Sequence, residues 1–166
     1  MGAEVDRPAS AAWTAWEREL VAAVRALPDG GSVVVAAPAA AARAARAPVS
    51  GRVRWLVPPK RRPLVPSVRL ERVEDHLRGH WVGAERFGGS FPWTREEEAT
   101  ILDLGWHRPG GGDGEDYVRF WPDDVADQPF LPVAVAERAA AVVASTFRAV
   151  VGPSLPDGAE LPTIRH

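Results

Sequence analysis

His76 and His80 stand four residues apart, with Glu74 and Asp75 beside them and His107 further along the chain. Two imidazoles at that spacing share one face of a helix and would hold a metal ion between them. Gly79 lies between them and the surrounding residues favour extended structure, so ordinary surface histidines are the plainer reading, and no metal is expected. Glu96, Glu97 and Glu98 would offer a general acid and a general base. They fall, however, in what reads as the first turn of a helix, where the positive end of the backbone dipole accounts for them.

Other chemistry finds less support. Gly110-Gly111-Gly112-Asp113-Gly114 lacks the lysine and the hydroxyl of a phosphate-binding loop and follows a helix instead of leading into one. No Gly-x-Ser-x-Gly elbow is present. The absence of cysteine removes disulfides, thiolate metal sites and thiol nucleophiles together. No complete catalytic site emerges, and no cofactor is called for.

The unusual feature is aromatic. There are 7 tryptophans in 166 residues, and Trp81, Phe87, Phe91, Trp93, Trp106, Phe120 and Trp121 crowd the second half. Tryptophan serves both as core filler and as the anchor of binding surfaces. Core is the plainer reading for most of these residues, and an interface role the sharper one.

Composition sets the frame for positioning them. A chain of this length supports one domain with one core. Hydrophobic residues make up 46% and charged residues 25%, a balance that folds rather than stays disordered. The first twenty residues carry Glu4, Asp6, Arg7 and Glu17 and no long apolar run, so neither a signal peptide nor a membrane partner is expected, and a reducing cytoplasm is the simplest address. The formal net charge of -2 hides a polarity. Residues 30 to 70 carry only positive charge, including Arg43, Arg46, Arg52, Arg54, Lys60, Arg61 and Arg62, while residues 71 to 128 are predominantly acidic. The two segments would neutralise each other, and with no nucleic-acid reading motif no nucleic-acid partner is expected.

The elements follow from periodicity and punctuation. Trp13, Trp16, Leu20, Val24 and Leu27 recur at helical spacing across residues 11 to 27, and Pro28-Asp29-Gly30-Gly31 ends that helix. Val33, Val34 and Val35 predict a buried strand over 32 to 37. Residues 39 to 47, fenced by Pro38 and Pro48, predict a loop or short helix. Arg52 to Val57 predicts a second strand. Val68 to Val73 predicts a third that resumes at His80, with a hairpin between Glu74 and Arg78. Thr94 and Glu97 have the spacing of a capping box at the head of a helix over 94 to 104, with Gly105 as its left-handed cap. Tyr117 to Trp121 predicts another strand, and Val135, Ala139, Val142, Val143, Phe147 and Val150 predict a long helix from Pro132 to Val151. The class is α+β, an antiparallel sheet flanked by helices. Residues 1–9 are expected to be disordered, 10–152 to form a single domain, and 153–166 to be a loosely ordered tail.

Three motifs carry a resemblance: Phe87-Gly88-Gly89, then Pro92-Trp93-Thr94-x-x-Glu97-Glu98, then Leu102-x-x-Gly105-Trp106-x-x-Pro109. With the Trp13-x-x-Trp16 helix and the Leu27-Pro28-x-Gly30 turn, the chain resembles the actinobacterial YbjN-like proteins grouped with type III secretion chaperones (TY-Chap) as peptide-binding, chaperone-like domains. That resemblance implies an α-β-β-β-α-β-β-α order, frequent dimerisation, and the holding of a partly extended polypeptide. It carries over no catalytic residue. The stretch from Pro38 to Pro66 departs from the pattern.

The expected function is therefore non-enzymatic binding of a protein or peptide client through a sheet edge and nearby aromatics, with Trp55, Trp81, Phe87, Trp93, Trp106 and Trp121 as the candidate contacts. One alternative is an immunity- or antitoxin-like inhibitor that plugs a basic partner site with the acidic segment. Another is a hydrolase or metal enzyme using His76, His80 and His107.

Overall fold

The structure, a computed structural model, describes residues 7–46, 61–110, 115–122, 131–152 and 163–165. The predicted strand over 52 to 57, with Trp55, lies outside the described residues.

Helix α1 (Arg7–Arg25) buries Trp13, Leu20 and Val24 along one stripe, the face its periodicity requires. It begins at Arg7, inside the segment expected to be disordered. Strand β1 (Ser32–Ala36) alternates Val33 and Val35 inward with Ser32, Val34 and Ala36 outward. The alanine-rich stretch that follows opens with the expected short helix, a 3-10 turn at Ala39–Ala41, but then runs as a strand, β2 (Arg43–Arg46), in place of the expected loop or helix. Its helix propensity has too few residues between prolines to nucleate, and β2 instead pairs antiparallel with β3 (Arg61–Leu64).

Strands β4 (Ser67–Val73) and β5 (His76–Trp81) form a hairpin tighter than the sequence predicts. Val73 pairs with His76, so the turn is Glu74-Asp75 alone. Glu74 takes a left-handed φ of 57°, and its N–H donates to Asp29 Oδ1 at 2.6 Å while its carbonyl accepts from Arg72 Nε at 2.8 Å. These bonds hold a conformation that glutamate seldom adopts.

Helix α2 (Arg95–Asp103) carries the anticipated capping box, with Thr94 and Glu97 each accepting the other's backbone N–H. Gly105 closes it at a φ of 86°. Strand β6 (Tyr117–Trp121) and helix α3 (Val133–Val150) lie where the periodicity places them. Thr163–Arg165 forms a last strand, β7, within the segment expected to be loose.

The main sheet has the order β6-β5-β4-β1-β7, every pairing antiparallel. The fold is α+β, and its order differs from the expected one by the β2–β3 ribbon, by β7, and by a single strand, β6, among the described residues between α2 and α3. Helices α1 and α3 pack on each other and on one sheet face, with α2 against α3. That face carries Val33, Val35, Val68, Leu70, Leu77, Trp81, Tyr117 and Trp121, all buried. Alanines Ala136, Ala139, Ala140 and Ala144 on α3 are buried too, and small side chains let the helix backbone approach its neighbours.

Gly79 is the inward residue between Leu77 and Trp81. A Cβ there would meet Trp121 Cζ3 at 2.8 Å and Trp106 Cζ3 at 3.0 Å. The missing side chain is the space into which two indoles fit.

Candidate peptide-binding surface

Four of the six candidate contact residues are internal. Trp81, Trp93, Trp106 and Trp121 are all buried, joined through ring contacts. Trp81 stacks on Trp93 at 5.8 Å and meets Phe147 edge-on at 5.0 Å, while Trp106 meets Trp121 edge-on at 5.8 Å. Two of the indole N–H groups are satisfied internally, Trp93 Nε1 by the Val82 carbonyl and Trp106 Nε1 by Thr146 Oγ1, both at 2.9 Å. The helices meet the sheet through this cluster. Trp55 lies outside the described residues.

Phe87 is different: it is 39% exposed. It closes a short 3-10 turn, Glu85–Phe87, that Gly88 terminates at a φ of 95°. The turn is pinned at its base, where Glu85 N–H donates to the Phe91 carbonyl at 2.9 Å and Phe91 N–H to the Gly83 carbonyl at 3.0 Å. Gly89 sits so close to Gly83 that any Cβ would collide with its backbone. The Phe-Gly-Gly motif thus has a physical meaning. Its first glycine supplies a left-handed cap and its second a close backbone approach, and together they fix the phenyl ring at the tip of a tight loop. The Arg86 and Arg108 guanidiniums lie 4.8 and 5.2 Å from the ring centroid, so the apolar ring sits between two arginines, of which Arg86 is also ion-paired with Glu98.

The sheet has two outer edges. On β6, His107 closes part of the edge, its N–H donating to the Val118 carbonyl at 2.8 Å and its carbonyl accepting Val118 N–H at 3.0 Å. At the other side β7 lies along β1, with Ser32 opposite Arg165, Val33 opposite Ile164 and Val34 opposite Thr163. Among the described residues no strand pairs the far side of β7.

The charge polarity noted in the sequence is resolved partly inside the chain. Arg43 on β2 forms a two-pronged pair with Glu97, at 2.5 and 2.9 Å, and lies over the rings of Phe91 and Trp93. The pair holds the Glu97 carboxyl below its usual range, chiefly through the Arg43 hydrogen bond. Arg61 reaches Glu85 at 3.3 Å, and Arg86 pairs with the buried Glu98. Three acids on which an inhibitor of a basic partner would draw are therefore engaged at home.

His76 and His80 lie on strand β5 rather than on a helix. Residues four apart on a strand are separated by about 13 Å, too far to share one ion at bonding distance. His76 Nδ1 instead meets Asp75 Oδ1 at 2.6 Å. His80, 7% exposed, has its pKa lowered by burial first and then by Arg69 and Arg78. No group of three or more metal-binding side chains gathers among the described residues. No helix among them is long and apolar enough to cross a membrane.

The model of a protein family described as T3SS (YopN, CesT) and YbjN peptide-binding chaperone 3, or TY-Chap3, matches residues 6–161. The chain belongs to this family. No curated protein and no solved structure matches it significantly. The TY-Chap3 assignment agrees with the resemblance carried by the Phe-Gly-Gly, capping-box and Leu-Gly-Trp motifs, and the structure gives each of these motifs a role in folding. Sequence reasoning missed the Arg43 cluster and the strand formed by Thr163–Arg165, because both depend on partners far away in the chain.

Proposed function

We propose that this TY-Chap3 domain holds an extended segment of a client polypeptide by backbone pairing along β1, with Phe87 as a second, apolar contact framed by Arg86 and Arg108. The role is binding, not catalysis, and it places the domain among cytoplasmic chaperones or adaptors. The observation that supports this is the pairing of β7 with β1. A three-residue strand from a distant part of the chain lies antiparallel along that edge, as an added peptide would. So short a strand contributes few backbone hydrogen bonds and is displaced at small cost. The four buried tryptophans serve this reading as scaffold, and of the five candidate contacts among the described residues Phe87 is the one retained at the surface.

A reversible lock tests it. Val34 and Thr163 are opposite each other, within the reach of a disulfide, and the chain has no cysteine to interfere. With Val34→Cys and Thr163→Cys, oxidation fastens β7 in place. Binding of reduced, carboxymethylated α-lactalbumin, a permanently unfolded chain, is expected to vanish on oxidation and return on reduction. Phe87→Ala is expected to weaken it severalfold. Equal binding by the locked and unlocked forms would remove β1 as the site.

A further inference from the structure

Between β6 and α3 runs a groove of about 250 Å³, lined by Arg119, Trp121, Pro122, Arg138, Ala141 and Val142. We infer that it receives the C-terminal residue of a partner polypeptide, carboxylate toward the two arginines and aliphatic side chain against the apolar wall. The site lies at the opposite side of the sheet from β1 and β7, so it stands independently of the client edge proposed above.

Among the described residues the lining holds two guanidiniums and no acid. Arg119 spends one terminal nitrogen on the Leu104 carbonyl and lies 5.3 Å from the Trp121 ring centroid. Its Nε, and the indole Nε1 of Trp121, are buried with no acceptor among the described residues. Native interiors rarely leave such donors unmatched, and the Arg119 guanidinium brings its positive charge to the groove lining. Arg138, exposed on α3, adds a further charge without an ion-pair partner among the described residues. An anion complements the two guanidiniums, and a carboxylate matches the planar donors of arginine.

Size and wall chemistry narrow the choice. The groove is smaller than the roughly 300–1,000 Å³ of typical small-molecule sites, and it is of the order of one amino-acid residue. Pro122, Ala141 and Val142 offer an apolar wall beside the positive groups. A C-terminal residue carries a carboxylate and an aliphatic side chain on the same Cα, and so satisfies both surfaces at once. The side chain of an internal glutamate would leave the apolar wall uncovered.

The test uses three short peptides and the full chain: acetyl-Ala-Ala-Leu as free acid, the same peptide as C-terminal amide, and acetyl-Ala-Glu-Leu amide. The reporter is the Trp121 indole N–H resonance, assigned through Trp121→Phe. The free acid is expected to shift it saturably, and the amide and the internal glutamate at least about tenfold less tightly. Arg138→Ala, on an exposed helix position, is expected to weaken the free acid about five- to tenfold without altering the circular dichroism, and the oxidised Val34→Cys, Thr163→Cys form to bind it unchanged. Indistinguishable acid and amide, or an unaffected Arg138→Ala variant, overturns the site. Equal binding of the internal glutamate overturns the terminal carboxylate.

Discussion

Glu97 uses one carboxylate for two tasks: it accepts the backbone N–H of Thr94 at 2.8 Å and grips Arg43 from 54 residues away. The first task closes the capping box of α2, and the second fastens the β2–β3 ribbon to the body of the domain. The Arg43 side chain is 38% exposed and that of Glu97 19%, so the ion pair is screened and its worth lies well below that of a buried pair.

Glu97→Ala is therefore expected to cost about 1–2 kcal/mol, the sum of a lost cap and a half-exposed pair. Arg43→Ala should cost less, because the cap survives. In a double-mutant cycle followed by urea denaturation the two should couple by about 0.5–1 kcal/mol. Strict additivity would show that the ribbon is held by other contacts.

His80 makes stability sensitive to mild acid. Burial, then Arg69 and Arg78, lowers its folded-state pKa below 6.5, against a smaller opposing pull from Asp116 and Glu71. As pH falls below about 6.5 the unfolded chain takes up a proton that the folded chain refuses. Stability is thus full above that pH and declines below it, until the folded form also protonates. Glu97, whose pKa is also lowered, adds a loss of the same sign starting below 4.5. Denaturation midpoints measured from pH 7.5 to 5 should fall for the native chain and stay nearly level for His80→Gln.

At Gly79 the expectation is steric. Gly79→Ala drives a methyl against the indoles of Trp121 and Trp106 and should destabilise by about 1–3 kcal/mol. Near-ultraviolet circular dichroism should change with it, since the ring contacts must shift. An unchanged spectrum with native stability would mean that the cluster yields freely.

Thr146 is wholly buried, accepting the Trp106 indole N–H and donating to the Val142 carbonyl at 2.8 Å. Thr146→Val keeps the shape and leaves the indole N–H without an acceptor, for an expected loss of about 1–3 kcal/mol. Thr146→Ser should retain most of the stability, and thermal unfolding of the two variants separates polar satisfaction from packing.

Much of this molecule is written locally. The apolar stripe from Trp13 to Leu27, the Thr94 and Glu97 box with Gly105 beyond it, the aromatic alternation of Tyr117 to Trp121 and the long stripe from Val135 to Val150 all act within a few residues. Helical and extended periods, caps and turn residues make them legible without knowledge of the fold. The motifs around Phe87, Trp93 and Trp106 likewise pointed to the family. Alternation along β6 also places Arg119 on the face of Tyr117 and Trp121, a signal from which the groove was partly readable.

Tertiary structure decided the rest. The sequence by itself determined that indoles would be abundant and where the helices would run. Only the packed chain decided that Trp81, Trp93, Trp106 and Trp121 turn inward while Phe87 stays out, that an alanine-rich stretch pairs as a strand, that Thr163–Arg165 lies along β1, and that Arg119 and Arg138 share a groove. Each of these outcomes depends on contacts between residues far apart in sequence, whose free energies exceed the local propensities that a linear reading can weigh.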